Sequence, residues 1–318
     1  MRIRLRDNRQ RAAGFTLVEL LTALAVVAVL LALLVPAFNL ITKQALNVRQ
    51  KGQFNRIEVA LEAFRTDFGD YPRSRPTSLS RQTPGYYGGQ MLAEAIVGWD
   101  GFGFHPRSVF SYDGTDIPAG GGNRVYADPT NPNPGETWDE NVKARKGPYL
   151  ELEAAGAVPL ENIELHAVNV LPLYGAPEPK TYVLADSFGK VTHAKTKKKT
   201  GMPILYYKAN TSGTLHPMDD ANISDEAVWA QCVFDIRDNH GLLRLQAYAP
   251  PRNRVPPESW ALTPNWYQFY EMTANPDHLN ETVPRLSRPY RSESFILQSA
   301  GPDGLYGTPD DVFNFESN

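Results

Sequence analysis

Charge disappears from the chain between Leu20 and Phe38 and is dense on either side. An arginine-rich start (Arg2, Arg4, Arg6, Arg9 and Arg11 against a single acid, Asp7) leads into that apolar run. The run is about the 20 residues that a helix needs to cross a hydrocarbon core. After Phe38 the pattern becomes amphipathic: Phe54, Ile57, Leu61, Phe64 and Phe68 recur at steps of three and four, which predicts one buried helical stripe. Gly69-Asp70-Tyr71-Pro72 stops the helix, because Gly suits a left-handed cap and Pro cannot continue the turn. Unbroken from Phe15 to Phe68, such a helix would be roughly 80 Å long at 1.5 Å per residue. Pro36 would bend it by removing one backbone donor.

Beyond residue 72 the pattern is less regular. Met91–Val97 reads as a short helix, and the clusters Gly85–Gly89 and Gly120–Gly122 read as turns, as does the Pro-rich segment Asp128–Gly135. No glycine cluster carries the Lys-Ser/Thr ending of a phosphate-binding loop. Thr181–Leu184, Pro203–Tyr207 and Leu242–Tyr248 carry strand-favouring residues. The lysines 195 and 197–199 lie between the first two and read as a solvated loop, or as a docking patch for an acidic partner.

Composition narrows the function. The 318 residues carry a formal net charge of -3, which gives no sign of a nucleic-acid partner. The single cysteine, Cys232, excludes an intramolecular disulfide and sits in an apolar stretch that suits a small buried residue. The basic start is expected to stay cytoplasmic, with the rest of the chain across the membrane. No His-Glu-x-x-His, Gly-x-Ser-x-Gly or Cys-x-x-Cys is present. The acid pairs Asp219-Asp220 and Asp225-Glu226 lack a defined separation, so the chain reads as a non-enzyme.

Two places carry unusual polar chemistry. Glu19 stands at the start of the apolar run, where an ionisable group near lipid needs a partner or must snorkel to the interface. A cut between Gly14 and Phe15 would supply a partner, a free α-amine on a neighbouring subunit. A secretory signal cut near Val35-Pro36-Ala37 is the competing reading of the same stretch. The second place is 299–311. There Asp303, Asp310, Asp311 and the Ser299 hydroxyl offer hard oxygens, and Gly301, Gly304 and Gly307 let the backbone curl. Calcium takes six to eight such ligands in flexible geometry. The spacing is not that of an EF-hand, and two Asp-rich turns without metal remain the alternative.

Gly14-Phe15-Thr16-Leu17-Val18-Glu19-Leu20 resembles the prepilin leader of type IV pilins and type II secretion pseudopilins. The resemblance implies cleavage after Gly14 and methylation of Phe15 by a prepilin peptidase/N-methyltransferase. It gives Glu19 a role in docking into the fibre and makes Pro36 the helix-bending proline. Ala60–Pro72 and the ending Ser299-x-Gly-x-Asp303-Gly304 with paired acids resemble the major pseudopilin of type II secretion. That family binds structural calcium in this loop. The resemblance therefore assigns carboxylates to Asp303, Asp310 and Asp311, a hydroxyl to Ser299, and backbone oxygens near Leu297 and Tyr306.

The expected fold is α+β of the type IV pilin-like kind. A leader (1–14), a transmembrane helix part (15–40) and an amphipathic part (41–70) precede an antiparallel β head with large loop insertions (71–290) and a C-terminal calcium loop (291–318). The implied function is a structural subunit of a type II secretion pseudopilus. Its implied partners are other pseudopilin subunits and the inner-membrane platform, with the anchor in the bacterial inner membrane and the head in the periplasm. The alternative is a type IV-like pilin whose head binds a surface or ligand through aromatic loops at Tyr86-Tyr87 and Trp260–Tyr270.

Overall fold

The computed structural model describes residues 16–76, 85–117, 122–126, 136–163, 178, 180–218, 226–245 and 266–316. Two compact units divide the chain, Met1–Ala45 and Leu46–Asn318. Helix α1 spans Leu17–Phe68 and enters both.

In the first unit α1 is bare. Leu17, Val18, Leu20, Leu24, Val29 and Leu30 are each more than half exposed. A run of uncovered apolar side chains marks a membrane or protein contact surface. Among the described residues no helix is long and apolar enough to cross a membrane. The charge-free run Leu20–Phe38 includes positions 33 and 35–37, whose side chains lie outside the described set. Pro36 is one of them. It sits within α1, and Gly14 and Phe15 lie outside the described residues.

The second unit has the expected α+β class. Its centre is a three-stranded antiparallel sheet of β5 (Leu205–Lys208), β6 (Phe295–Ser299) and β7 (Val312–Phe313), in that spatial order. The register sets Tyr206 against Leu297, Tyr207 against Ile296 and Gln298 against Phe313. Because strand side chains alternate, Tyr206, Phe295, Leu297 and Val312 point to one face. There they meet Phe54, Ile57 and Leu61 of α1, so the predicted stripe is the inner face of the helix. Burying each such side chain stabilises the fold by roughly 1.5–3 kcal/mol.

The other face of the sheet is also covered, which the sequence reading did not foresee. Leu205, Tyr207, Ile296 and Phe313 pack against Trp229, Phe234, Leu242, Phe269 and Tyr270. These five come from the long connection between β5 and β6. It holds α5 (Glu226–Trp229), α6 (His240–Leu245) and α7 (Trp266–Thr273). Cys232 is buried in the same cluster, as expected. All five residues of β6 are buried, as a strand covered on both faces requires.

Helix α2 (Gly88–Val97) lies against the sheet side that α1 covers and is buried along its whole length. It begins within the glycine cluster that reads as a loop. A Cβ on Gly88 would lie 2.2 Å from the Tyr206 carbonyl oxygen, and one on Gly89 would lie 2.7 Å from that of Ile204. The glycines thus let the helix start touch the sheet backbone, which turn chemistry alone does not reveal. Leu242–Tyr248 is a second correction: 242–245 belong to α6, not to a strand, and 246–248 lie outside the described residues. Leu242 and Leu245 are one helical turn apart and both face the core, so a helical period was open to misreading as strand composition.

The remaining elements are short. Helices α3 (Trp138–Ala144) and α4 (Leu152–Ala155) precede β1 (Ala157–Pro159), which pairs with β2 (Tyr182–Leu184). Strands β3 (Val191–Thr192) and β4 (Lys199–Thr200) form a hairpin of their own that carries the exposed lysines. This hairpin separates β2 from the tyrosine-bearing strand β5 in sequence. Gly120, Gly121 and the Pro-rich segment lie outside the described residues, apart from Gly122 of the first cluster.

Candidate functional site

The first candidate site is the start of α1. Thr16 stands before the first helical residue, and Glu19 is three positions on. The Thr16 backbone N–H donates to Glu19 Oε2 at 2.9 Å and its hydroxyl to the same oxygen at 2.8 Å. The Glu19 N–H in turn donates to Thr16 Oγ1 at 3.2 Å. This is a reciprocal capping box, which satisfies helix N–H groups that have no partner in the helix itself. Glu19 is therefore held within its own chain by Thr16. Sequence reasoning found Glu19 but missed Thr16, although the Thr-x-x-Glu spacing signals it.

The second candidate is the loop after β6. Gly301, Gly304 and Gly307 all take positive φ (63°, 72° and 76°), the left-handed backbone that glycine adopts without strain. Asp310 Oδ2 accepts from the Asp303 N–H at 2.9 Å. Asp303 Oδ1 accepts from the Leu305 N–H at 2.7 Å. Asp311 Oδ2 accepts from Gly307 N–H at 2.8 Å and from Gln298 Nε2 at 2.6 Å. The Thr308 hydroxyl bridges Asp310 and Asp311 at 2.5 and 3.5 Å. The loop thus draws the three predicted carboxylates into one hydrogen-bonded turn system. Among the described residues, no three His, Cys, Asp or Glu side chains converge as a metal cluster.

Asp311 and Gln298 have strained electrostatics. Burial pushes the Asp311 carboxyl up to about 8, against the pull of the Gln298, Gly307 and Thr308 hydrogen bonds. Gln298 is 1% exposed, and its Oε1 is buried without a hydrogen-bond partner. A half-buried carboxylate beside an unsatisfied buried amide oxygen is a donor set that suits a hard cation. Gln298 escaped sequence reasoning because nothing in a glutamine on a strand distinguishes it before the pairing is known.

Ser299 is placed elsewhere. Strand alternation sends it to the opposite face from Gln298, where its hydroxyl donates to Asp186 Oδ2 at 2.8 Å. Asp186 also accepts from the Phe188 and Met202 N–H groups, and burial raises its pKa to about 6. The Leu297 carbonyl accepts from the Asn314 N–H at 3.3 Å. Tyr306 is buried, and its hydroxyl donates to the Pro203 carbonyl.

Among the described residues, the aromatic side chains of the alternative reading at Tyr86, Tyr87, Phe269 and Tyr270 are not exposed. Tyr87 is fully buried, and Tyr86 is buried with its hydroxyl on Glu94 at 2.6 Å. Phe269 and Tyr270 are core residues, and Trp260 to Asn265 lie outside the described residues. Asp219, Asp220 and Asp225 lie outside them too, as does the side chain of Glu226.

Residues 9–35 match one protein family, described as the prokaryotic N-terminal methylation motif. The matched span includes Gly14, Phe15, Thr16 and Glu19. No curated protein and no solved structure matches the chain. The motif is typical of type IV pilin-like proteins and pseudopilins. It supports a pilin-like structural subunit that is processed by a prepilin peptidase, anchored in a membrane and built into a polymer.

Proposed function

We propose that this chain is a structural subunit of a type II secretion pseudopilus, cleaved after Gly14 and methylated on Phe15. The observation that carries the reading is the combination at α1. A methylation motif leads directly into a helix whose apolar side chains are uncovered and whose Glu19 is held at the helix start. Such a helix must be sheltered first by lipid and then by neighbouring subunits. Glu19 would exchange its Thr16 partner for the free amine of an adjacent Phe15. Farther along, Val48 and Val59 are 72% and 71% exposed on the outer side of α1, a surface for lateral contact.

In this reading the C-terminal loop holds calcium. Asp303, Asp310 and Asp311 supply carboxylates, and the partnerless Gln298 Oε1 adds an oxygen. Backbone oxygens near Leu297 and Tyr306 complete the shell. Ser299 joins them only if it leaves Asp186. The ion would fix a glycine-rich loop that has no disulfide to close it. The head would face the periplasm, and its partners would be other pseudopilins and the inner-membrane platform.

Two measurements test this. The mature protein should begin with N-methylphenylalanine at position 15 by mass spectrometry. Loss of the chain should trap secreted proteins in the periplasm. An intact leader overturns the processing. A chain whose loss abolishes surface fibres but spares secretion belongs to a pilus instead.

A further inference from the structure

Two features of the second unit fit each other without touching. One is Phe102, 53% exposed at the tip of a pinned turn. Gly103 N–H donates to the Val97 carbonyl at 3.0 Å, and Phe102 N–H to Asp100 Oδ1 at 3.1 Å. Phe104 and Lys146 exchange backbone hydrogen bonds at 2.8 Å each way. The Trp138 ring meets the edge of Phe102 at 5.9 Å, and the exposed Asp139 follows it. Phe102 is therefore a preorganised apolar knob with an acidic neighbour, and holding it outward carries little further ordering cost on binding.

The other feature is a cleft of about 190 Å³ between α1 and the chain's C-terminal end. Phe54 forms its floor, and the stacked rings of Phe313 and Phe315, 5.1 Å apart, form its wall. The cleft is smaller than the roughly 300 Å³ at which small-molecule pockets begin, so it suits one side chain. Asn314 ties the wall to α1 by donating to Glu58 Oε1 at 2.8 Å. Lys51 stands on the rim, 50% exposed, in an ion pair with Glu316 that is 84% exposed. Such an exposed surface pair is weak, so Lys51 is readily exchanged to another acid.

Knob and cleft lie apart along α1. Phe104, two residues from the knob, packs on Phe64 and Phe68, whereas the cleft floor is Phe54. That is about 15–21 Å along the helix at 1.5 Å per residue. Two different complementary patches on one molecule make a heterologous contact, which builds an open filament wherever its rotation does not close a ring. We propose that Phe102 of one copy of this chain inserts between Phe54 and Phe315 of the next, with Asp139 against Lys51. The inference rests on the polymer reading above and adds the contact between heads.

Cysteine pairing tests it in cells that produce the full chain with their own assembly machinery. The native Cys232 is 1% exposed, so new thiols report alone. Asp139→Cys with Lys51→Cys keeps the Phe102 knob. Under mild oxidation the double variant should give a ladder of cross-linked multimers, at least tenfold above either single variant. Fibres without a ladder overturn the contact and leave the polymer reading intact; no fibres from the parent chain overturn both. Should the double variant fail to assemble, the charge exchange Asp139→Lys with Lys51→Asp decides. Assembly by the pair but by neither single exchange supports the contact, and any other pattern overturns it.

Discussion

The Ser299 hydroxyl donates to Asp186 Oδ2 at 2.8 Å, across the end of β6 from the loop that Ser299 begins. Removing it strips a donor from a buried carboxyl whose pKa burial already raises to about 6. Ser299→Ala should destabilise the second unit by about 1–3 kcal/mol, the usual penalty for a buried group left short of a partner. Denaturant unfolding of a fragment starting at Thr42, with calcium and with chelator, checks this and separates two roles. An equal loss in both conditions identifies the latch on Asp186. A loss only in calcium identifies Ser299 as a ligand.

Stability should depend on pH in an unusual direction. Burial raises Asp311 to about 8 and Asp186 to about 6, both above the unfolded value near 3.9. A folded pKa above the unfolded one means that folding takes up protons. The stability these groups contribute is full below pH 4 and is lost as pH rises towards 8. In chelator, the melting temperature of the same fragment should fall between pH 5 and pH 8. A melting temperature that rises over that interval would contradict the burial of these carboxyls.

Gly88→Ala should be among the most damaging single substitutions in the head. Its Cβ would meet the Tyr206 carbonyl oxygen at 2.2 Å, and the backbone of a hydrogen-bonded strand cannot yield as a side-chain tip can. The cost should be about 3 kcal/mol or more, in the range of overpacked core sites. Gly52→Ala is the control. Nothing lies within 4 Å of its Cβ, and a helix interior favours Ala by roughly 0.5–1 kcal/mol. Paired unfolding curves should show opposite signs.

These sites divide by what a sequence can carry. The α1 stripe was legible because Phe54, Ile57, Leu61 and Phe64 repeat at the helical period and all end buried. The strands at 182–184 and 205–208 were legible from β-branched and aromatic composition. Burial of the second sheet face was not, because Trp229, Phe234 and Phe269 come from a connection with no period of its own. The Asp186–Ser299 and Gln298–Asp311 pairs were hidden for a related reason. Each joins residues 13 or more positions apart, and strand register alone decides which face Ser299 and Gln298 take. The Thr16–Glu19 pair was written in the sequence as Thr-x-x-Glu, but attention to the glutamate's charge concealed its local partner.

Thr16→Val should weaken assembly while Thr16→Ser keeps it. Valine matches threonine in shape but cannot donate to Glu19 or accept from its N–H, so both side-chain bonds of the capping box disappear. Loss of such a cap costs about 0.5–2 kcal/mol at the helix start. It also leaves the Glu19 carboxylate with only the Thr16 backbone N–H as a local donor beside an apolar helix. Fibre yield per unit of membrane-inserted chain is the readout, with cleavage followed on the same blot. Normal cleavage with reduced fibres in Val, restored in Ser, assigns the hydroxyl to holding Glu19. Equal yields in all three proteins would mean that the capping box ends before Glu19 is used.

Calcium should raise the melting temperature of the Thr42 fragment, and the dependence on residues should separate the two faces of β6. A ligand that binds only the folded state adds about 2.7 kcal/mol at a hundredfold excess over its dissociation constant. Asp310→Ala should abolish the rise, because the Asp310 carboxylate joins Asp303 and Thr308 in one turn system. Gln298→Leu is the more informative change. In chelator it removes a buried oxygen that has no partner, but it also removes the donor to Asp311, so the net change should be within about 1–3 kcal/mol. With calcium the cost should be larger if Gln298 Oε1 is a ligand. A Gln298→Leu variant whose calcium-induced rise equals that of the parent would place the ion on the carboxylates and backbone alone. A parent protein with no rise at millimolar calcium would remove calcium from this loop altogether and leave its glycine turns to hydrogen bonds.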